Sequence, residues 1–124
     1  LDWAVNNGNE GMAKVLLEDG ADINAADEDR ATPLCQASKI GEVEIVKLLL
    51  EKGADVKMAS VKGYTPLHWA SSKGPVEVVK LLLEKGADIN VADLQGFTPL
   101  HWASESRLPN VVQLLLEKGA DIAA

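Results

Sequence analysis

Cysteine, aromatic residues and long apolar runs are scarce in this 124-residue sequence, and each shortage argues against a class of protein. The single cysteine, Cys35, cannot form an intramolecular disulfide and fits a reducing compartment, so we expect the cytoplasm or the nucleus. Apolar runs such as Leu81, Leu82 and Leu83 are much shorter than the roughly 18 residues that a membrane span needs. The sequence therefore predicts no membrane-spanning segment.

Basic residues are also in the minority, with 12 Lys and Arg against 19 Asp and Glu and a formal net charge of −7. Because nucleic-acid binding depends on Lys and Arg displacing counterions from phosphates, we expect no nucleic-acid partner. The acidic excess is concentrated in the first thirty residues, where only Lys14 and Arg30 are basic. This end would either steer a basic segment of a partner protein towards the chain or form an ordinary solvated face.

A 33-residue repeat runs through the whole chain. Thr-Pro-Leu occurs at 32–34, 65–67 and 98–100, and residues 63–91 match residues 96–124 at 19 of 29 positions without a gap. With 47% hydrophobic residues, the sequence predicts one folded domain over residues 1–124, built from four units of which the first and last are truncated. The units are approximately 1–28, 29–61, 62–94 and 95–124.

Each unit contains the start and stop signals of two helices, as the third unit illustrates. Thr65 is a candidate N-cap and Pro66 suits the first helical turn, so a short helix is predicted from here to Gly74. A second helix is predicted from Pro75 to Gly86, with apolar residues around most of its surface. Since one short partner helix cannot cover so wide an apolar surface, neighbouring units must stack on each other. The loops between units carry turn residues, and little strand is expected.

The run Thr-Pro-Leu-His-Trp-Ala at 65–70 and 98–103, together with Leu-Leu-Leu-Glu-Lys-Gly-Ala-Asp, resembles the ankyrin repeat family over essentially the whole chain. The resemblance implies an all-α solenoid of stacked antiparallel helix pairs with projecting hairpin-like loops. It also implies a concave groove formed by the loops and the first helix of each unit. Members of the family usually bind proteins, so the expected partner is a protein.

The two histidines, His68 and His101, are candidates for a metal ligand or a general base. They occupy equivalent positions one repeat apart, and packed helices lie roughly 8–10 Å apart, which places the two rings poorly for sharing a zinc ion. The resemblance implies instead that each His hydrogen-bonds the capping Thr and the loop backbone. Asp2 and Cys35 replace this His in the first two units, where the hydrogen bonding is therefore in doubt.

Cys35 and His68 also form a candidate nucleophile and base, because a catalytic thiolate needs a base beside it. The two residues lie at homologous positions one repeat apart, so a small buried apolar cysteine is the favoured interpretation. The sequence contains no glycine-rich phosphate loop, no Gly-x-Ser-x-Gly motif and no series of metal ligands. We therefore predict a non-catalytic protein without a cofactor or a metal site.

The few aromatic residues are confined to the first helices and to the loops before them. Trp3, Trp69 and Trp102 share one repeat position, whereas Tyr64 and Phe97 immediately precede a capping Thr. By the resemblance, both positions border the groove, where Trp and Tyr commonly anchor a partner. The tryptophans would either contact a partner or pack on the neighbouring first helix, whereas binding is the favoured role of Tyr64 and Phe97.

The residues that differ most between otherwise similar units lie at the loop tips and at the ends of the first helices. Such a division between a repeated scaffold and variable loops is typical of a binding surface, although drift at exposed sites would give the same pattern. The predicted partner-binding residues are Trp3, Asp29, Ala31, Gln36, Lys39, Lys62, Tyr64, Trp69, Ser72, Lys73, Gln95, Phe97, Trp102 and Glu105.

Two positions depart from the repeat pattern. The second loop has Asp27, Glu28 and Asp29 before Arg30, where the next two units have glycine, so a bent or mobile loop is expected. Arg107 replaces the glycine that ends the first helix in the other units, and local distortion is expected there as well.

Several further expectations concern the whole protein. The last unit keeps an apolar second helix as though another repeat should cover it, so we expect a fragment of a longer array; its apolar residues are Val111, Val112, Leu114, Leu115 and Leu116. The chain is expected to be a monomer. By the resemblance, Asn24 and Asn90 also fit a pattern hydroxylated in some ankyrin arrays. The predicted function is a protein-binding module, and the alternative is a set of architectural spacer repeats with no ligand in the groove.

Overall fold

The computed structural model describes residues 1–122, and within them the chain forms eight helices and no strand. The helices alternate between the first and second helix of each repeat, as the sequence predicts. They are α1 (Asp2–Asn6), α2 (Glu10–Glu18), α3 (Pro33–Ile40), α4 (Val43–Glu51), α5 (Pro66–Lys73), α6 (Val76–Glu84), α7 (Pro99–Glu105) and α8 (Pro109–Glu117). The all-α repeat architecture is therefore confirmed.

The Thr-Pro motif starts the first helix in three of the four repeats. Thr32, Thr65 and Thr98 each accept a hydrogen bond on the hydroxyl from the backbone N–H three residues later, and a proline occupies the first helical turn. Helix α1 begins after Leu1, which is equivalent to Leu34, and it has no side-chain cap. The predicted helix starts are thus confirmed wherever the capping residue is present.

The repeats stack so that the first helices form one layer and the second helices form another. Helices α1, α3, α5 and α7 pack in that order, and α2, α4, α6 and α8 pack behind them. Leu49, Leu82 and Leu115 occupy equivalent positions in the second helices, and none of the three is exposed to solvent. Neighbouring repeats therefore supply the burial that a single helix pair cannot provide.

Backbone hydrogen bonds hold the loops of successive repeats in register. The N–H of Val61 donates to the carbonyl of Asp29 at 2.9 Å, and the N–H of Leu94 donates to the carbonyl of Lys62 at 3.0 Å. Asn24 bridges to the next repeat, because its side-chain oxygen accepts a bond from the N–H of Asp55 at 3.0 Å. Asn90 accepts the equivalent bond from the N–H of Asp121 at 2.8 Å. The hydroxylation of these two asparagines stays a prediction.

The second loop, around residues 27–31, keeps the geometry of the other loops. The prediction that this loop is bent is therefore wrong. Arg30 adopts a φ of 62°, which is the left-handed conformation that glycine adopts in the next two units. Asp27 holds this turn together, because its Oδ1 accepts bonds from the N–H of Asp29 at 2.8 Å and of Ala31 at 2.9 Å. These bonds offset the cost of a left-handed arginine.

The distortion expected at Arg107 is small. Helix α7 has 7 residues against 8 in α3 and α5, and it ends at Glu105. Arg107 itself takes a φ of 57°, as glycine does at the equivalent Gly41 and Gly74. The missing glycine therefore shortens the helix by one residue and leaves the course of the chain unchanged.

Replacing a buried serine by alanine is expected to stabilise the fold. The hydroxyl oxygens of Ser38 and Ser71 are fully buried and have no hydrogen-bond partner among the described residues, whereas Val5 fills the equivalent position of the first repeat. Removing an unpaired buried hydroxyl relieves a desolvation cost, so Ser71→Ala is expected to raise the free energy of unfolding by about 1 kcal/mol. Urea denaturation would measure this change.

Ser104 offers the matched control, because it occupies the same repeat position but is exposed. Ser104→Ala is expected to change the free energy of unfolding by less than about 0.5 kcal/mol. A loss of stability in Ser71→Ala would mean that the buried hydroxyl is in fact bonded.

Candidate partner-binding surface

Three aromatic rings from the third and fourth repeats pack together at the first-helix layer. The ring of Tyr64 meets Trp69 at a centroid distance of 5.6 Å and Trp102 at 4.7 Å, and the two tryptophans meet at 5.3 Å. All three contacts are edge-on, which is a favourable geometry for aromatic pairs. The rings are therefore held by each other before any partner arrives.

A buried carboxylate organises the loop that precedes α7. The side chain of Asp93 is only 6% exposed, and it accepts bonds from the N–H groups of Gln95 and Phe97, both at 2.9 Å. Its other oxygen accepts a bond from the indole N–H of Trp102 at 3.1 Å. Burial alone would raise the pKa of Asp93, but these hydrogen bonds and the nearby His68 together hold the pKa below its usual value.

The loop that precedes α3 has an aspartate at the equivalent position, but this aspartate bonds a glutamine instead of a tryptophan. Asp27 lies 66 residues before Asp93, and its Oδ2 accepts a bond at 3.3 Å from the side-chain amide of Gln36, which stands where Trp102 stands. Sequence analysis missed the role of both aspartates. The signal was the recurrence of Asp at one repeat position beside the predicted groove residues.

His68 joins two repeats through both ring nitrogens. Its Nδ1 accepts a bond from the N–H of Thr65 at 3.1 Å, so its Nε2 carries the proton and donates to the carbonyl of Phe97 at 2.9 Å. The ring is completely buried, and this burial lowers the pKa of His68 below its usual value. The structural role predicted for this histidine is confirmed.

His101 and Cys35 are the other two residues that the sequence offers for metal binding or catalysis. His101 makes the same contacts to Thr98, but its ring is exposed. Cys35 is 1% exposed, and burial raises the pKa of its thiol, so the protonated and unreactive form is favoured. Its Sγ donates a weak bond to the carbonyl of Met58 at 3.8 Å. The prediction of a small buried cysteine is confirmed.

Two neighbouring cavities lie on either side of Tyr64. The larger has a volume of about 600 Å³ and is lined by Phe97, Leu100 and Trp102 with the acidic residues Asp93 and Glu105. The smaller has a volume of about 280 Å³ and is lined by residues that include Asp29, Ala31, Lys39, Lys62 and Trp69. We call the surface that contains both cavities the groove face, because the loops and the first helices form it.

Comparison with known families agrees with this architecture. A family model described as ankyrin repeats (3 copies) matches residues 1–93, and a second, described as ankyrin repeat, matches residues 95–124. The chain belongs to the ankyrin repeat family. Ankyrin repeats are generally protein–protein interaction modules and are typically non-catalytic. A comparison with curated proteins finds no match.

The fold of these ankyrin repeats brings most of the predicted partner-binding residues together. The larger cavity is lined by Tyr64, Ser72, Gln95, Phe97, Trp102 and Glu105, and the smaller by Asp29, Ala31, Gln36, Lys39, Lys62, Tyr64 and Trp69. Trp3 and Lys73 line neither cavity. Trp3 lies in α1, where its side chain is 62% exposed, and Lys73 is the exposed last residue of α5.

The described part of the chain contains no cluster of three or more His, Cys, Asp or Glu side chains that could hold a metal ion. Within residues 1–122, no helix is both long and apolar enough to cross a membrane. The groove face presents aromatic and apolar walls together with exposed lysines and carboxylates.

Proposed function

We propose that these ankyrin repeats bind a partner protein through the groove face, with Tyr64, Trp69, Phe97 and Trp102 at the centre of the contact. The observation that supports this most strongly is the pair of cavities that share Tyr64 as a common wall. Phe97 adds an apolar ring that is 47% exposed at the edge of the larger cavity. Large rings beside cavities are the usual anchors of a protein interface.

Rigid recognition is the mechanism that follows from these contacts. The rings of Tyr64, Trp69 and Trp102 are already packed, and Asp93 already holds the loop, so little order has to be created on binding. A pre-organised surface retains more of its contact energy as affinity. An interface of standard size would bury roughly 800 Å² of this chain.

The charge distribution supports a partner with a basic segment. The acidic residues of the first thirty positions are exposed, and none of them forms an ion pair within the described residues. Such a patch would raise the association rate of a basic partner at low salt and lose this effect as salt increases.

Truncating two groove aromatics is expected to remove binding without removing the fold. The double variant Trp69→Ala and Phe97→Ala should weaken the affinity for the captured partner by more than about 2 kcal/mol, because the anchors of the interface are lost. The partner would be obtained by affinity capture from lysate of the source cells, and its affinity would be measured by calorimetry. Circular dichroism would first establish that the variant is folded.

The double variant Val15→Ala and Leu116→Ala is the matched control, since it also truncates exposed apolar residues but does so on the second helices α2 and α8. It should keep the affinity of the original chain. Equal binding by a folded groove variant would refute this site. Capture of no partner by any form would favour the architectural spacer.

A further inference from the structure

The larger cavity on the groove face combines aromatic walls with acidic side chains. Tyr64, Phe97 and Trp102 supply the rings, and its charged acidic residues are Asp93 and Glu105. Among the described residues no lysine or arginine lines it. Asp93 already accepts three hydrogen bonds, whereas the exposed carboxylate of Glu105 has no bond to any described residue. A cation suits such a site better than an anion or a neutral polar group.

The neighbouring repeat contains a filled version of the same arrangement. The ammonium group of Lys39 lies over the ring of Trp69, 4.9 Å from its centroid, which is within cation–π range. Trp102 is equivalent to Trp69, and the residue equivalent to Lys39 is Ser72, which lines the larger cavity. The hydroxyl of Ser72 donates to the carbonyl of Trp69 at 3.1 Å, and its side chain is too short to cover Trp102.

The aromatic walls of this cavity do not form one continuous cluster of rings. Phe97 contacts the ring of His101 at 5.7 Å, and in the described part of the chain no ring contact joins Phe97 to Tyr64 or Trp102. The volume of about 600 Å³ is within the range of cavities that hold a ligand group. The aliphatic stem of a long basic side chain would pack against apolar walls and leave its head free for a carboxylate.

We propose that the larger cavity receives a lysine or arginine side chain of the partner, whose cationic head lies over Trp102 as Lys39 lies over Trp69. Glu105 pairs with this head at the rim. The smaller cavity already has the ammonium groups of Lys39 and Lys62 beside the carboxylates of Asp27 and Asp29, so the basic side chain is directed to the larger cavity. This inference rests on the proposed function and specifies the chemistry of the partner at one position.

The test uses small probes, acetyl-arginine amide, acetyl-lysine amide and acetyl-leucine amide, titrated into the chain and followed by NMR. The indole N–H of Trp102 is the reporter, because it donates to Asp93 beside the cavity, and the indole N–H of Trp3 is the internal control. Both cationic probes should shift the Trp102 signal in a saturable way. The leucine probe should bind more weakly, and Trp3 should not respond.

Two variants separate the cation site from a general apolar pocket. Ser72→Lys places the chain's own ammonium over Trp102 and is expected to weaken both cationic probes by about 10-fold. Glu105→Gln removes the rim charge and should weaken them by about 3-fold, whereas Glu77→Gln, on the exposed side of α6, should have no effect.

If the leucine probe binds as tightly as the cationic probes or more tightly, the cavity is an apolar pocket and the inference is overturned. Undiminished binding of the cationic probes to Ser72→Lys would overturn it as well. The outcome for the proposed function is separate. A partner lost from the Trp69→Ala and Phe97→Ala variant but retained by Ser72→Lys would refute the cation site and leave groove binding intact, whereas a partner retained by both variants would refute groove binding itself.

Discussion

Replacing His68 by alanine is expected to lower the free energy of unfolding by about 3 kcal/mol, combining an unpaired buried N–H with the cavity that the ring leaves. The N–H of Thr65 loses its acceptor, and the carbonyl of Phe97 loses one of its two donors, since the N–H of Asp93 also bonds to it. Denaturation in urea would measure the loss.

His101→Ala is the matched control. His101 makes the same contacts to Thr98 as His68 makes to Thr65, but its ring is exposed and water can replace it. A loss of about 1 kcal/mol or less is expected, in line with a typical single hydrogen bond. Losses of equal size in the two variants would show that the bond between repeats contributes little.

The stability of the original chain should also fall on acidification, and His68→Ala should remove that part of the fall. Burial lowers the pKa of His68 in the folded state, so below the ordinary histidine pKa of about 6.5 the unfolded chain binds a proton that the folded chain resists. The stabilising term is therefore present above that value and is lost as the pH drops towards the lowered pKa. Urea midpoints at pH 7 and pH 5 would reveal it.

Gly63→Ala is the second substitution expected to have a large effect, with a loss of about 3 kcal/mol from a left-handed backbone combined with a clash against backbone atoms. Gly63 has a φ of 80°, and a Cβ added there would lie 2.9 Å from the backbone nitrogen of Leu94 and 3.1 Å from the Cα of Asp93. Neither atom can move without breaking the bond between Leu94 and Lys62 that keeps the loops in register.

Gly96 provides the comparison, because it occupies the same repeat position with a φ of 88° but has nothing within 4 Å of an added Cβ. Gly96→Ala is expected to cost about 1 kcal/mol, the penalty of the left-handed conformation alone. If urea denaturation shows the two variants equally destabilised, the clash between the added Cβ and the neighbouring loop adds nothing to the loss of stability.

The helix pairs could be predicted from the sequence because their start and stop signals are local. Thr65 caps α5 through a bond to the backbone N–H three residues later, and Gly41 ends α3 because glycine tolerates a positive φ. The same local logic was wrong at Arg30, where a missing glycine suggested a bend. Two bonds accepted by the side chain of Asp27 hold that loop in the ordinary conformation, and the prediction from the missing glycine took no account of this aspartate.

The sequence predicted which residues lie at the candidate site, but it did not predict which of their side chains contact each other. Repeat register placed Trp69 and Trp102 on the same face, and their mutual packing follows from the stacking of α5 on α7. Asp93 was missed because its importance comes from a bond to Trp102, nine residues away, which forms only when the loop folds back. Trp3 shares the tryptophan position but joins neither cavity.

The sequence by itself determined the period, the helix boundaries and the family, because each depends on residues that are neighbours in the chain or recur at a constant spacing. Only the tertiary structure decided which aromatic rings meet, which carboxylate is buried and where the two cavities open. Those features depend on distances between side chains of different repeats, which are set by how the helices stack.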